Sequence, residues 1–235
     1  MRRGSAIPSE MPARCAACAA RNTSLCSGLG DDALAALHTI ARRRTLRAGQ
    51  ALSWTGDPAV TCGSLVSGVL KITRAGHDKR SQIVGLLYPG DFAGELFVTQ
   101  TSDTIAALTD ADLCVYPREV LERTLACYPA AERLLLQRAL ASLSEARRWL
   151  PMLARARAEA RIAALLVDIA RRCGEPGNGV VMLPLSRGAM GEVLGLAIET
   201  VSRNMSAFQD AGLISLVGLR GVRLLDRPAL ARLAG

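Results

Sequence analysis

The spacing of apolar positions divides the chain into four stretches. Residues 1–30 are rich in Ala, Ser, Gly and Pro and poor in large apolar side chains, which predicts an arm that cannot pack alone. Asp31 or Asp32 is placed to cap a short helix ending at Ile40. Between residues 45 and 116 the period shortens. Leu65–Val66, Val69–Thr73, Gln82–Leu87, Thr104–Leu108 and Leu113–Tyr116 are short β-rich runs, separated by Gly56-Asp57-Pro58, Gly68, Gly76 and Pro89-Gly90-Asp91. That punctuation predicts a small antiparallel barrel or roll within 31–117.

From Pro117 the pattern is helical. Leu136, Ala139, Leu143, Ala146, Leu150 and Leu153 recur at alternating three- and four-residue steps. Such a stripe either packs on the chain's own roll or forms the seam of a dimer. Arg138, Glu145, Arg147 and Arg148 are read as the opposite face, and Pro151 as a bend or stop. A second helix is predicted from about Glu159 to Arg172, followed by a Gly-rich turn over 174–179 and an extended run, Val180–Leu183.

Residues 184–225 carry the most specific pattern. Ser186 suits an N-cap for a helix ending near Leu194, and Gly195 supplies a tight turn. A second helix follows from Ile198 to Asp210, with Val201, Met205 and Phe208 facing inward and Gly212 as its stop. Helix, turn and helix make a helix-turn-helix, and Leu213–Val217 with Gly221–Leu225 make a two-stranded wing. The outward start of the second helix presents Glu199, Thr200, Ser202 and Arg203. A carboxylate can accept from cytosine and an Arg can grip guanine with two bonds, so these types suit a major groove. Glu199 and Arg203, four residues apart, also suit a simple helical ion pair, and Glu199 can orient Arg203 for DNA.

Charge agrees with that reading. The 235 residues hold 29 Lys and Arg against 21 Asp and Glu, a net charge of +8, which favours polyanions such as double-stranded DNA. No run approaches the ~18 apolar residues of a membrane helix, and no apolar stretch follows Arg2 and Arg3 as in a signal peptide. A cytoplasmic protein without a membrane role is expected, its seven cysteines serving as thiols or metal ligands rather than disulfides. His38 and His77 are the two histidines, both read as exposed. With no Ser/His/Asp set, phosphate loop or paired catalytic carboxylates, the chain is not read as an enzyme.

Cys15, Cys18 and Cys26 form C-x2-C-x7-C in the arm, and Cys114 offers a fourth thiolate in the last strand-like run. Four thiolates suit a tetrahedral zinc or an iron–sulfur cluster, and spacing does not choose between them. Cys62, Cys127 and Cys173 fit no ligand spacing and are read as buried or idle thiols.

On these residues the sequence resembles the CRP/FNR family of bacterial transcription regulators. Leu194-Gly-Leu-Ala-Ile-Glu-Thr-Val-Ser-Arg203 is similar to the family's recognition-helix signature, continued by Phe208–Ile214, and Pro89-Gly-Asp-Phe-Ala-Gly-Glu95 to its β-roll signature. The resemblance implies an α+β fold in four parts: a cysteine arm over 1–30, a jelly-roll-like β-roll over 31–117, a dimerisation helix over 118–154 and a winged helix-turn-helix over 155–235. It implies that Glu199, Ser202 and Arg203 read a TTGAT-type half-site, with Thr200 and Arg187 also on the DNA. A homodimer joined along the 136–153 stripe would set two recognition helices about 34–36 Å apart on an inverted repeat, and roll loops would touch RNA polymerase. Ala197 departs from the family's usual Ser or Thr cap, a loss of ~1 kcal/mol.

The family's cyclic-nucleotide branch uses an Arg after the Gly-Glu. Residues 94–105 contain neither Arg nor Lys, and a buried phosphate without a cation is costly, so no cyclic nucleotide is expected. Similarity to FNR-type oxygen sensors instead implies a 4Fe-4S cluster held by Cys15, Cys18, Cys26 and Cys114. Arg14 and Arg21 would favour the thiolates, Leu25 would be an apolar shield, and the small Ala16, Ala17, Ala19 and Ala20 would leave the cluster open to oxygen. The alternative is a regulator of the same fold without the cluster, using structural zinc, haem and nitric oxide, or thiol redox chemistry, for which Cys173 is a candidate.

Overall fold

The computed structural model describes residues 15, 17–27, 29–75, 81–155, 157–174 and 179–235. His77, Arg14 and Ala16, read above as an exposed side chain, a thiolate-favouring charge and an open spot, lie outside the described residues. The chain forms two compact units, residues up to Ile72 with Leu86–Ala141, and Thr73–Gly85 with Ser142–Gly235.

Helix α1 (Asp31–Ile40) precedes eight strands: β1 (Arg42–Leu46), β2 (Ala51–Ser53), β3 (Thr61–Ser67), β4 (Leu70–Ala75), β5 (Ser81–Leu87), β6 (Phe92–Ala93), β7 (Thr104–Ala107) and β8 (Ala111–Pro117). They build two four-stranded sheets in the orders β1-β8-β3-β6 and β2-β7-β4-β5. This is the expected roll, and β8 is its pivotal strand. Side chains alternate across a strand. Leu113 therefore joins Leu46, Leu65, Leu70 and Ile105 in one apolar cluster, with Val115 packed against it. Tyr116 points the other way, into a second cluster with Leu37, Cys62, Leu121 and Leu125, against which Cys114 packs.

Three local expectations are corrected. Asp31 and Asp32 are not caps: Gly30 is the N-cap, and the two carboxylates occupy the first turn, where they offset the helix dipole. The single helix expected over 118–154 is two, α2 (Arg118–Cys127) and α3 (Pro129–Arg155). Tyr128 between them is non-helical, with φ −129° and ψ 84°, because a residue before proline is pushed out of the helical region. Finally, α3 is not ended at Pro151 but runs to Arg155.

The apolar stripe of α3 is solvent-facing in the single chain. Leu136, Leu143 and Leu150 are 59%, 45% and 64% exposed, Ala139 and Ala146 are exposed, and Leu153 is half-buried. Leu140, missed in the sequence, joins them at 55%. The opposite face is not simply solvated: Arg138 reaches the cysteine arm, and Glu145 pairs with Arg148 and Arg172.

The second unit contains α4 (Ala158–Cys173), β9 (Val181–Met182), α5 (Arg187–Leu194), α6 (Ile198–Asp210), β10 (Ile214–Val217), β11 (Gly221–Leu224) and α7 (Arg227–Ala234). Its sheet has the order β10-β11-β9, so the wing carries a third strand. Ile162, Leu165, Leu166 and Ile169 of α4 are fully buried, as are Met190, Val201 and Met205 of α5 and α6. Among the described residues, no helix is long and apolar enough to cross a membrane.

Candidate metal centre and nucleic-acid interface

Residues 17–27 of the arm are shaped by short turns. Cys18 N–H donates to the Cys15 carbonyl at 3.3 Å, Arg21 N–H to Cys18 at 3.1 Å, and Ser24 N–H to Ala20 at 2.8 Å. Besides the Arg138–Ser27 hydrogen bond, Leu25 and Thr23 fasten the arm to the roll. Leu25, 1% exposed, is a member of the second apolar cluster, against which Cys114 also packs, so it anchors the arm beside the cysteines. Thr23 packs on Gly90, whose φ is +99°; a Cβ there would stand 2.7 Å from the Thr23 hydroxyl. The turn signal Pro89-Gly90-Asp91 thus serves the arm as well as the roll. Ala20 is buried, whereas Ala17 and Ala19 are exposed.

These fastenings bring all four expected cysteines to one cavity. Cys15, Cys18, Cys26 and Cys114 line it together with Arg21, Arg42, Arg43, His38, Ser64 and Tyr116. Cys114 faces Arg43 of β1 and Ser64 of β3 in antiparallel register, so the three side chains share one sheet face. His38, expected to be exposed, is buried on α1 and faces the same cavity. Sequence reasoning missed His38 and Ser64, because neither belongs to a motif.

Burial pushes the Cys26 and Cys114 thiols up in pKa, and hydrogen bonds from Tyr116 oppose the shift at both. Burial thus disfavours the thiolate forms of Cys26 and Cys114, and a metal replacing their protons would supply the opposing drive. Burial also raises the Tyr116 phenol, which stays protonated and able to donate. The Ser64 hydroxyl is 1% exposed and has no hydrogen-bond partner among the described residues. A buried hydroxyl left unpaired is costly, and a sulfur-rich group in the cavity would accept its proton. The donor set thus fits a soft metal or an iron–sulfur cluster. Among the described residues no three His, Cys, Asp or Glu side chains already stand together as a metal cage. Cys62 is fully buried with its thiol pushed up to about 12 by burial, and Cys127 and Cys173 are exposed.

The loop after β6 bears on the effector. Both oxygens of Glu95 are taken by Ser102: the backbone N–H donates at 2.7 Å and the hydroxyl at 2.8 Å. Glu122 accepts the Phe97 N–H at 2.6 Å and pairs with Arg118 at 2.8 Å. Phe97, at φ 60°, is held outward and 71% exposed.

In the second unit, the Ser186 side chain caps α5 by accepting from Ala189 N–H at 3.1 Å. Gly195 closes α5 in the left-handed conformation, φ 63°. Gly191 is needed at the turn, because a Cβ there would run into the Leu196 carbonyl oxygen. Ala197 is the N-cap of α6 and makes no side-chain cap bond, as its residue type requires. Val201, Met205 and Phe208 face inward, while Glu199, Ser202 and Arg203 are exposed and Thr200 is half-buried. Glu199 and Arg203 form no ion pair among the described residues, so Glu199 does not orient Arg203 in the free protein. Arg187 is half-buried and its Nη1 donates to Met190 Sδ at 3.7 Å. Gln209, missed in the sequence, ties α6 to the wing by accepting from Leu216 N–H at 3.1 Å.

Comparison with known proteins agrees with both units. The Crp-like helix-turn-helix domain matches residues 160–233, and the cyclic nucleotide-binding domain matches residues 43–128. The chain is 36% identical over 228 residues to the transcriptional activator protein FnrL of Cereibacter sphaeroides, covering 94% of this chain and 92% of the relative. It is 35% identical to a probable transcriptional activator of Rhizobium leguminosarum bv. viciae, covering 94% and 93%. Among solved structures, FixK2 of Bradyrhizobium japonicum superposes with a TM-score of 0.77 at 27% identity, covering 83% of this chain and 98% of that one. These relatives are regulators rather than enzymes. A cysteine-bearing β-roll joined to a winged helix-turn-helix, matched along nearly its whole length by such proteins, makes the chain a member of the CRP/FNR family of DNA-binding transcriptional activators.

Proposed function

We propose that this cytoplasmic regulator senses oxygen through a 4Fe-4S cluster held by Cys15, Cys18, Cys26 and Cys114, and binds an inverted TTGAT-type repeat as a homodimer when oxygen is low. The observation that carries the reading is the convergence of three arm thiols and one strand thiol on a single cavity. When bound, the cluster supplies oxygen-labile iron–thiolate bonds between arm and roll. Everything else falls to the chain's own residues. Leu25 and Thr23 seat the arm on the roll. The exposed leucines of α3 form the dimer seam, and α6 presents Glu199, Ser202 and Arg203 to each half-site, with Thr200 and Arg187 beside them. Only a dimer engages both half-sites, so a modest change in association becomes a large change in occupancy. Exposed roll loops then meet RNA polymerase.

Cyclic nucleotide control is disfavoured on two grounds. Residues 94–105 offer no cation, and the Glu95 carboxylate is already engaged by Ser102. The deciding experiment is oxygen-free purification with measurement of iron, acid-labile sulfide and zinc. Brown protein that holds iron and sulfide and bleaches in air supports the reading. Colourless protein with tightly held zinc favours a regulator of the same fold with a structural metal.

A further inference from the structure

Cys26 is bracketed by two attachments to α3. The residue before it, Leu25, shares a buried cluster with Ala131 of α3, and Leu135 packs against that cluster. The residue after it, Ser27, accepts a hydrogen bond of 2.7 Å from the Arg138 guanidinium. Ala131, Leu135 and Arg138 follow one another at four- and three-residue steps, which puts them on one face of the helix. Leu136, Leu140 and Leu143 have the same spacing on the exposed face. The arm therefore grips the rear of the helix whose front carries the seam.

Arg138 is the last of these grips, and an unusual one. Its side chain turns inward although its Nε–H is buried without a partner among the described residues. An unpaired buried donor is costly, and ordering a long side chain costs rotamer freedom. Among the described residues the Ser27 hydroxyl is the acceptor that holds the guanidinium in this pose. If Ser27 leaves, water can satisfy every Arg138 donor, and among the described residues no other acceptor maintains the inward pose.

We propose that the Arg138–Ser27 hydrogen bond couples the state of the cysteine arm to the dimerisation helix. With the arm docked, Ser27 holds Arg138 and fixes the rear face of α3 beyond Leu135, so that Leu136, Leu140 and Leu143 are presented together. With the arm released, Arg138 swings out and α3 is fastened only as far as Leu135. Arg138 acts through the helix and touches no ligand; it is a positioning residue. The inference rests on the cluster reading and names how that site would regulate association.

The test compares wild type, Ser27→Ala and Arg138→Met, each purified without oxygen and again after removal of iron. Ser27→Ala removes the acceptor without altering the helix, and Arg138→Met keeps an apolar stem without the donors. Iron and sulfide are measured alongside the monomer–dimer constant by sedimentation. In wild type, association is tighter with iron and sulfide present. Both variants are expected to keep wild-type iron and sulfide while that difference shrinks about tenfold, the change carried by one charge-assisted bond. The double variant should be no worse than either single one. Variants that retain the wild-type difference overturn the coupling. So does loss of iron and sulfide from both, which would make the bond a support for the arm alone. Wild type without iron and sulfide overturns the cluster reading, and this inference falls with it.

Discussion

Tyr116 and Cys114 lie two residues apart on one face of β8, and both line the cavity that Cys26 of the arm also lines. One phenol thus stands in the same cavity as a strand ligand and an arm ligand and favours the thiolate of each. Hydrogen bonds to coordinating sulfur withdraw electron density and help set the reduction potential of an iron–sulfur site. Tyr116→Phe preserves the ring in its buried cluster but removes the donor. Cluster-loaded protein of this variant is expected to show a lower midpoint potential and faster bleaching in air than wild type. Spectroscopic redox titration checks the first and stopped-flow absorbance the second. An unchanged potential would show that the phenol serves packing only.

The cysteines divide by position, so their substitutions should divide as well. Cys114→Ala removes the ligand that comes from the roll and is expected to reduce bound iron and sulfide to background. Cys62 lies on the neighbouring strand β3 but belongs to the apolar cluster, fully buried, with its thiol pushed up to about 12. Cys62→Ala should keep wild-type iron and lose about 1 kcal/mol of stability for the small void it leaves. Metal analysis and thermal unfolding of the two variants separate ligand from core residue.

DNA reading rests on the exposed start of α6. Arg203→Ala is expected to cost ~1–3 kcal/mol per half-site while leaving the fold intact, because Arg203 is exposed on α6. Fluorescence anisotropy with an inverted TTGAT-type repeat measures the loss. Substituting the base pair that Arg203 reads should weaken wild type but have little further effect on the variant. If both proteins respond equally to that base change, a different side chain reads the position.

Much of this architecture was legible in the sequence because local chemistry and tertiary structure agree there. Ser186, Gly195, Gly212 and the inward Val201, Met205 and Phe208 fix α5, α6 and their turn, and α6 begins and ends at the residues the pattern predicts. The four cysteines were legible as types, but their convergence was not. It depends on Leu25 entering a cluster with α1, α2 and α3, and on Thr23 packing against Gly90, contacts that no local period reports. Strand β1 was missed because Arg42–Leu46 carries three arginines and little apolar alternation; β8 specifies its pairing instead. His38 reads as a surface residue on an amphipathic helix, whereas it is buried beside the cavity that the arm cysteines line. Arg138 reads only as part of the face opposite the stripe, since its partner Ser27 lies 111 positions away in the chain.

The stripe on α3 leaves a choice of seam that charge insertion can settle. Leu136, Leu143 and Leu150 can be completed by Ala139, Ala146 and Leu153, as the heptad spacing suggests, or by Leu140 on the other flank. Exposure favours the second, because Leu140 is 55% exposed in the single chain whereas Leu153 is half-buried within it. A carboxylate buried in a seam without a partner carries a penalty of several kcal/mol, enough to dissociate a dimer at micromolar concentration. Leu140→Glu and Leu143→Glu are therefore both expected to sediment as monomers with wild-type helicity, and Ala146→Glu to remain largely dimeric. The reverse outcome, a dimeric Leu140→Glu beside a monomeric Ala146→Glu, would put the contact on the alanine flank, where small side chains let the two helices approach more closely.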